Sequence, residues 1–234
     1  TTLPQEGKLK HGELEMRVST LPTLNGEQIT LKLLRNQDML PSLPALGFWG
    51  EALRRMEMAI LQPNGLVVVS GQTGSDTHTT LLRLTADSAK ASRSVATIEH
   101  IITYRLDNVS QLQISPATGL DIHKALGLIH NQEPHIVMVD EIQTNKSIAQ
   151  VEELAQNRLV LAGIRAQSTD HSLAKIGRSK GVPTSLRCII FVQGSRKLCT
   201  ACRQSYRPDA KLRAEIDKKF QTDKSKAIAS LRKL

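Results

Sequence analysis

Four short apolar runs, each followed by a stretch of helical character, constrain this chain more than any other feature. They are LVVVS at Leu66 to Ser70, SVATIE at Ser94 to Glu99, HIVMVDE at His135 to Glu141 and RLVLAGI at Arg158 to Ile164. Short apolar runs of this kind suit strands buried on both faces, and strands alternating with helices build a largely parallel sheet covered on both sides. The chain has 234 residues, enough for one full domain of about 100 to 200 residues plus fragments. Upstream, Met16 to Leu21 and Glu27 to Leu34 alternate around LPTLNG, which predicts a strand pair turning at Asn25-Gly26. Pro41 and Pro44 then break the pattern, and Trp49, Leu53, Met56 and Ile60 recur at helical spacing. A boundary is expected near residues 36 to 46.

Composition excludes some classes. No apolar run approaches the roughly 18 residues a membrane span needs, and TTLPQEGKLKHGELEMRV at the start has no apolar signal segment. Three cysteines, two of them in one CxxC, give no disulfide framework, so a cytosolic chain is expected. The formal net charge is +9, but residues 196 to 234 hold 12 Lys and Arg against 4 Asp and Glu, a net of +8. Only +1 is left for the rest. In the tail, Leu212, Ile216 and Phe220 recur among lysines, the pattern of a basic amphipathic helix. Such a helix is either a solvated face or a contact for an acidic surface; the aromatic interleaving that phosphate-backbone binding favours is absent, and DNA is not expected as a partner.

The first apolar run leads into GQTGSDTHTT, Gly71 to Thr80, and then into the helical LLRLTADSAKAS. Strand, glycine turn and helix form the architecture that wraps phosphates in backbone N–H groups. A working loop of the form GxxxxGK[ST] adds a lysine for phosphate charge and a hydroxyl for magnesium. Gly71 is kept, whereas Asp76 stands at the second glycine, Thr77 at the lysine and His78 at the hydroxyl. Taken alone, this is a glycine-rich βα turn.

The order of the surrounding segments resembles the type II secretion and type IV pilus assembly ATPase family, from about Met16 to Pro208. RVSTLPTLNGEQITLKLL resembles the family's last strands before its motor domain, and GQTGSDTHTT its phosphate loop, usually GPTGSGKSTT. TIEHIIT resembles the acidic box TVEDPIE, keeping Glu99 with His100 at the aspartate; QLQISPATG, Gln111 to Gly119, resembles QxQVNxxxG. NQEPHIVMVDEIQT resembles RQDPDVVMVGEIRD, and LCTACRQSY, Leu198 to Tyr206, resembles LCPxCKxxY. Six landmarks in one order carry the resemblance. It implies a RecA-like P-loop NTPase fold in three parts: residues 1–38 as the end of an N-terminal α/β domain and linker, 39–196 as the motor domain, and 197–234 as a CxxC-containing basic helical segment.

The resemblance also implies a site. Gly71, Thr73, Gly74, Ser75, Asp76, Thr77, His78 and Thr79 occupy the phosphate-loop positions, for ATP and Mg2+, and Glu141 matches the glutamate that orients water or stands behind magnesium. Glu141 and Glu99 are the candidate catalytic remnants; read from the residues alone, Glu141 is equally a strand-end acid capping the next helix, and Glu99 a polar strand-end residue. The other departures remove phosphate chemistry. LVLAGIRAQ resembles the His box LVMSTLHTN, with Gly163 at the threonine and Arg165 at the histidine; Gln143, Gly127 and Asn131 stand where arginines are expected. One charge pair at 4 Å is worth roughly 4 kcal/mol at an effective dielectric near 20, which is a large share of a micromolar binding energy of about 8 kcal/mol.

Cys199 and Cys202 suit half of a zinc site, since CxxC sets two thiolates on one tetrahedral metal; Cys188, in LRCIIFV, reads as a core residue. His123, His130, His135 and His171 show no ligand spacing and read as surface or helix-end residues. Three functions follow. The leading one is a noncatalytic structural or regulatory subunit of a pilus or secretion motor, in a homo- or hetero-hexamer at an inner-membrane platform. The second is an active ATPase driving pilin or pseudopilin assembly, and the third a nucleic-acid or anionic-membrane module resting on the tail, with salt-sensitive binding.

Overall fold

The computed structural model describes residues 3–12, 14–89, 93–115, 119–177, 181–195, 198–199 and 201–220. It forms two compact units, Thr1–Gly194 and Ser195–Leu234.

In the first unit the four apolar runs become β4 (Gly65–Gly71), β5 (Val95–Glu99), β8 (Ile136–Val139) and β9 (Leu159–Arg165). With β7 (Val109–Gln113) and β10 (Leu186–Val192) they make a six-stranded sheet in the order β10-β4-β9-β8-β5-β7, every pairing parallel. Parallel strands need crossovers. These are α2 (Thr77–Ala89), α3 (Ile122–Gln132), α4 (Asn145–Asn157) and α5 (Thr169–Ile176), with α1 (Gly50–Ile60) preceding β4.

Every residue of β4 is buried, and its side chains divide between two cores because successive residues face opposite ways. Val67 and Val69 join α1 and α2, through Met56, Ile60, Leu81 and Leu84. Leu66 and Val68 join α3 and α4, through Ala125, Ile129, Val151 and Leu154. A fully buried Val or Leu contributes about 1.5–3 kcal/mol, so β4 is the best-anchored strand and its carboxyl end is fixed. Trp49, placed on the α1 stripe by its spacing, precedes the helix and is exposed, while Leu53, Met56 and Ile60 pack inward. Cys188 is half-buried on β10 against the first core.

The N-terminal strand pair is β2 (Leu14–Thr23) and β3 (Gly26–Asn36), antiparallel, turning where Gly26 has φ 130°. A further strand, β1 (Gln5–His11), pairs with β2, and β6 (Tyr104–Arg105) runs parallel to the end of β3. Alternation predicts one buried face here. Instead Ile29, Leu31 and Leu33 are at least half exposed, beside Thr20, Val18 and Met16 in register. The second unit holds α6 (Ala210–Phe220), where the tail's spacing predicts a helix; residues 221–234 lie outside the described residues.

Two glycines give opposite expectations. A Cβ on Gly163 overlaps the Asp140 carbonyl and meets Leu81 Cδ1 at 3.0 Å, whereas Gly127, inside α3, has open space. Gly163→Ala is expected to lower unfolding stability by about 1–3 kcal/mol, and Gly127→Ala to raise it by about 0.4–1 kcal/mol; urea denaturation of the two variants measures both.

Candidate functional site

Strand β4 delivers the chain to Gly71 at the carboxyl edge of the sheet, and α2 begins at Thr77. The loop between turns through Gly74 at φ 83° and Asp76 at φ 48°. Aspartate tolerates this left-handed region better than most residues, so the corner survives without its glycine. Ser75 donates from its N–H to the Gln72 carbonyl at 3.1 Å and from Oγ to the same oxygen at 2.6 Å; its Oγ also lies 2.9 Å from Thr77 Oγ1. The Thr80 N–H and hydroxyl both donate to the Asp76 carbonyl at 3.0 Å. Gly71 cannot carry a side chain, because a Cβ would overlap Ser75 Oγ and approach the Val192 carbonyl to 2.6 Å.

This loop floors a cleft of about 340 Å³ lined by residues 71–79, Asp140, Glu141, Gly163, Ile164 and Arg165. All eight phosphate-loop positions expected from the sequence, Thr73 and Thr79 included, thus line one cavity with Glu141. Gly127 and Asn131 line a different hollow, beside Gly119 and Lys124 on and before α3.

Glu99 ends β5 with no solvent exposure. Its Oε1 accepts from Thr97 Oγ1 at 2.7 Å and Gln111 Nε2 at 2.9 Å, while Oε2 has no hydrogen-bond partner. Burial pushes its carboxyl above the ordinary range, and the Thr97 and Gln111 hydrogen bonds oppose that shift. Against Oε2, at 3.9 Å, stands Nε2 of His78, which also lies 3.2 Å from Thr103 Oγ1. The other ring nitrogen, Nδ1, faces Asp140 Oδ1 at 3.9 Å. Asp140 in turn accepts the His100 N–H at 2.9 Å and sits 3.1 Å from His100 Nδ1. His78, the residue at the magnesium-hydroxyl position, therefore lies between two carboxylates. Asp140 and Thr103 are the members that sequence reasoning missed; the signal for Asp140 was its substitution for the glycine of VMVGE.

Glu141 is mostly buried and forms an ion pair from Oε1 to Arg165 Nε at 2.8 Å. This corrects one expectation. Glu141 does not cap the following helix: Thr144 is the N-cap of α4, in a capping box with Ser147. Arg165, its partner, is an exposed residue at the end of β9. Among the lining residues Arg165 is the one Lys or Arg, against Asp76, Asp140 and Glu141. The residues present do not fit a magnesium triphosphate: the lysine position holds Thr77, the hydroxyl position holds a ring, and the lining is net acidic.

Cys199 and Cys202 lie in the second unit, both free and exposed. Among the described residues no group of three or more His, Cys, Asp or Glu is placed to hold a metal. His123 and His135 are engaged by Gln150 Oε1 at 2.7 Å and Ser94 Oγ at 2.7 Å, and His130 and His171 lie in the last and first turns of α3 and α5.

Because burial raises the native Glu99 carboxyl above its ordinary 4.5, Glu99 costs stability as pH rises above that value. Glu99→Gln is expected to match the parent near pH 4 and to grow more stable relative to it as pH rises above 4.5, as followed by thermal denaturation at a series of pH values.

Comparison with known proteins fits this geometry. The family model described as "Type II/IV secretion system protein" matches residues 1–232. The chain is 32% identical over 215 residues to the type II secretion system protein E of Dickeya dadantii, covering 87% of this chain and 43% of that protein. It is 27% identical to the type IV pilus assembly ATPase PilB of Thermus thermophilus, covering 88% and 24%. It spans less than half the length of these relatives. Among solved structures, the pilus retraction motor PilT with bound ADP superposes at TM-score 0.64 with 18% identity, covering 78% of this chain and 53% of that one. The ATPase DotB of Legionella pneumophila gives 0.60 at 18% identity, covering 76% and 51%. The fold is that of the RecA-like secretion ATPases, and this chain belongs to the type II/IV secretion system protein family.

Proposed function

We propose that this chain is a noncatalytic structural or regulatory subunit of a pilus or secretion motor. It keeps the motor fold while its own ionic contacts occupy the nucleotide cleft. The observation that carries this reading is His78, whose two ring nitrogens each stand 3.9 Å from a carboxylate, Glu99 and Asp140. Glu141, the remnant with the strongest claim to a catalytic role, is tied to Arg165 at 2.8 Å.

Electrostatics supports the same reading. A triphosphate entering the cleft meets three acidic residues and one already-paired arginine. Each uncompensated like-charge contact near 4 Å costs roughly 4 kcal/mol at an effective dielectric of 20, and two such contacts cancel a micromolar affinity. The setting that the sequence resemblance implies is a homo- or hetero-hexamer on the cytoplasmic side of an inner-membrane platform. Residues 39–196 would be the motor part, 1–38 the end of a preceding domain, and 197–234 the CxxC-containing segment.

One feature favours the alternative of a working ATPase. Gly71, Gly74 and the left-handed Asp76 keep the loop open at the start of α2, so its N–H groups can still meet an anion.

Calorimetric titration with Mg-ATP separates the two. The proposal expects no binding up to millimolar nucleotide and no turnover in Thr77→Lys, because Asp76 and His78 remain. Micromolar binding by the parent chain, or appreciable hydrolysis by that variant, establishes the ATPase instead.

A further inference from the structure

Strands β5 and β7 lie side by side and parallel, and residues 100–108 join them. Parallel neighbours ordinarily need a crossover of a dozen or more residues, most often a helix. Here the connection is shorter. It leaves the six-stranded sheet, contributes β6 as the fourth strand of the N-terminal sheet, and returns. The stretch HIITYRLD, residues 100–107, therefore belongs to both sheets.

Its N-terminal side is held by backbone and side chains together. The Arg35 N–H donates to the Thr103 carbonyl at 3.0 Å, and Arg35 and Asn36 pair in register with Tyr104 and Arg105. Arg35 Nη1 donates to the Tyr104 hydroxyl at 3.1 Å, with the guanidinium 5.7 Å from the centre of the same ring. Arg105 reaches Glu15 on β2 at 2.7 Å, and the Asp107 N–H donates to Gln37 Oε1 at 2.9 Å. Gln111 on β7 fixes the stretch from the other sheet. Its Oε1 accepts the Leu106 N–H, and its Nε2 donates to the Tyr104 carbonyl and to Glu99 Oε1, each at 2.9 Å. Tyr104 and Leu106 are buried in the first core.

The cleft side is held as well. The His100 N–H donates to Asp140 at 2.9 Å, and the Thr103 hydroxyl lies 3.2 Å from His78 Nε2. Thr103 thus touches the second residue of α2 with its side chain and β3 with its carbonyl. The contact uses the far nitrogen of the imidazole, an atom that a serine or threonine at this position does not have.

We propose that residues 100–107 are a strut tying the phosphate loop to the end of β3, with Thr103 as its joint, so that His78 seated between Glu99 and Asp140 holds the N-terminal strands in one position. A group that turns His78 out of the cleft breaks the joint and loosens β3. A partner that pulls on the N-terminal strands unseats His78 in turn, because coupling between two sites is reciprocal. The inference rests on the reading of the cleft as filled by the chain's own side chains; its test uses no nucleotide, so each can fail while the other stands.

The test is amide hydrogen exchange of the whole chain at fixed pH, read residue by residue by NMR. The Arg35 and Asp107 N–H groups report on the strut, and the Leu161 N–H, in the middle of β9 between β4 and β8, reports on the sheet. Thr103→Val keeps the shape and the carbonyl but loses the hydroxyl; His78→Ala removes the ring. Each is expected to speed exchange at Arg35 and Asp107 about threefold to tenfold, the loss of roughly one hydrogen bond, with Leu161 unchanged. Since both variants remove one contact, the double variant is expected to match the larger single effect rather than the product of the two. Multiplying effects overturn Thr103 as the joint. Faster exchange in His78→Ala confined to residues 76–80 overturns the strut, and so does equal acceleration at Arg35 and Leu161, which reports a loss of global stability.

Discussion

Strand β4 is buried on both faces, and the position of everything at its carboxyl end follows from that. Its side chains alternate between two cores, so it can neither slide nor rotate without exposing one of them. On one side β9 locks to it along seven residue pairs, and the Ala166 N–H donates to the Gly71 carbonyl just beyond. On the other, β10 brings the Val192 carbonyl so near Gly71 that no side chain fits there. None of these contacts uses the side chains of Asp76, Thr77 or His78. The fold and the phosphate chemistry are therefore energetically separable: residues at the loop's tip can change character while apolar packing and backbone hydrogen bonds keep the loop in place.

The changed residues are not independent of one another. His78, His100 and Asp140 each depart from the family pattern, are far apart in sequence, and meet in one network around Glu99. Glu99 is a carboxylate without solvent, with one oxygen hydrogen-bonded and the other not. Such a group is costly as an anion unless a cation or donor approaches, and His78 is the group that faces its open oxygen. A similar coupling joins Gly163 and Asp140. A Cβ at residue 163 would overlap the Asp140 carbonyl, and the Ile142 N–H donates to the Gly163 carbonyl at 2.8 Å, so the close approach of the β8 end to β9 depends on the glycine. Arg165 then reaches Glu141 from the same strand.

Elements whose signal is local were legible in the sequence. The apolar runs mark β4, β5, β8 and β9 because a doubly buried strand needs only its own residues to announce itself. The turn at Asn25-Gly26 and the glycine-rich loop between β4 and α2 were legible for the same reason. β1 was not, since QEGKLKH is short and polar and becomes a strand only by pairing with β2. The ion pairs were not, because Arg165 and Glu141, or His78 and Asp140, are neighbours only after the parallel sheet sets β4, β9, β8 and β5 side by side. Glu141 shows the limit most plainly. At a strand end before a helix, a carboxylate is equally a cap or a site residue; the choice was made by Thr144, whose hydroxyl took the cap and left Glu141 to face the cleft.

The charge of the whole chain says nothing about this cleft. Of the formal +9, residues 196 to 234 supply +8, whereas the cleft lining carries Asp76, Asp140 and Glu141 against Arg165. At physiological salt the Debye length is about 8 Å, so a charge acts mainly on its own neighbourhood, and the lining sets the potential that a ligand meets inside the cleft. A polyanion is attracted to the tail by its many Lys and Arg residues and repelled at the loop by three carboxylates. Attraction of the first kind falls steeply with added salt, while contacts inside a partly desolvated cleft are screened far less. Salt dependence, rather than affinity alone, is thus what distinguishes an anion held by the tail from one seated on the loop.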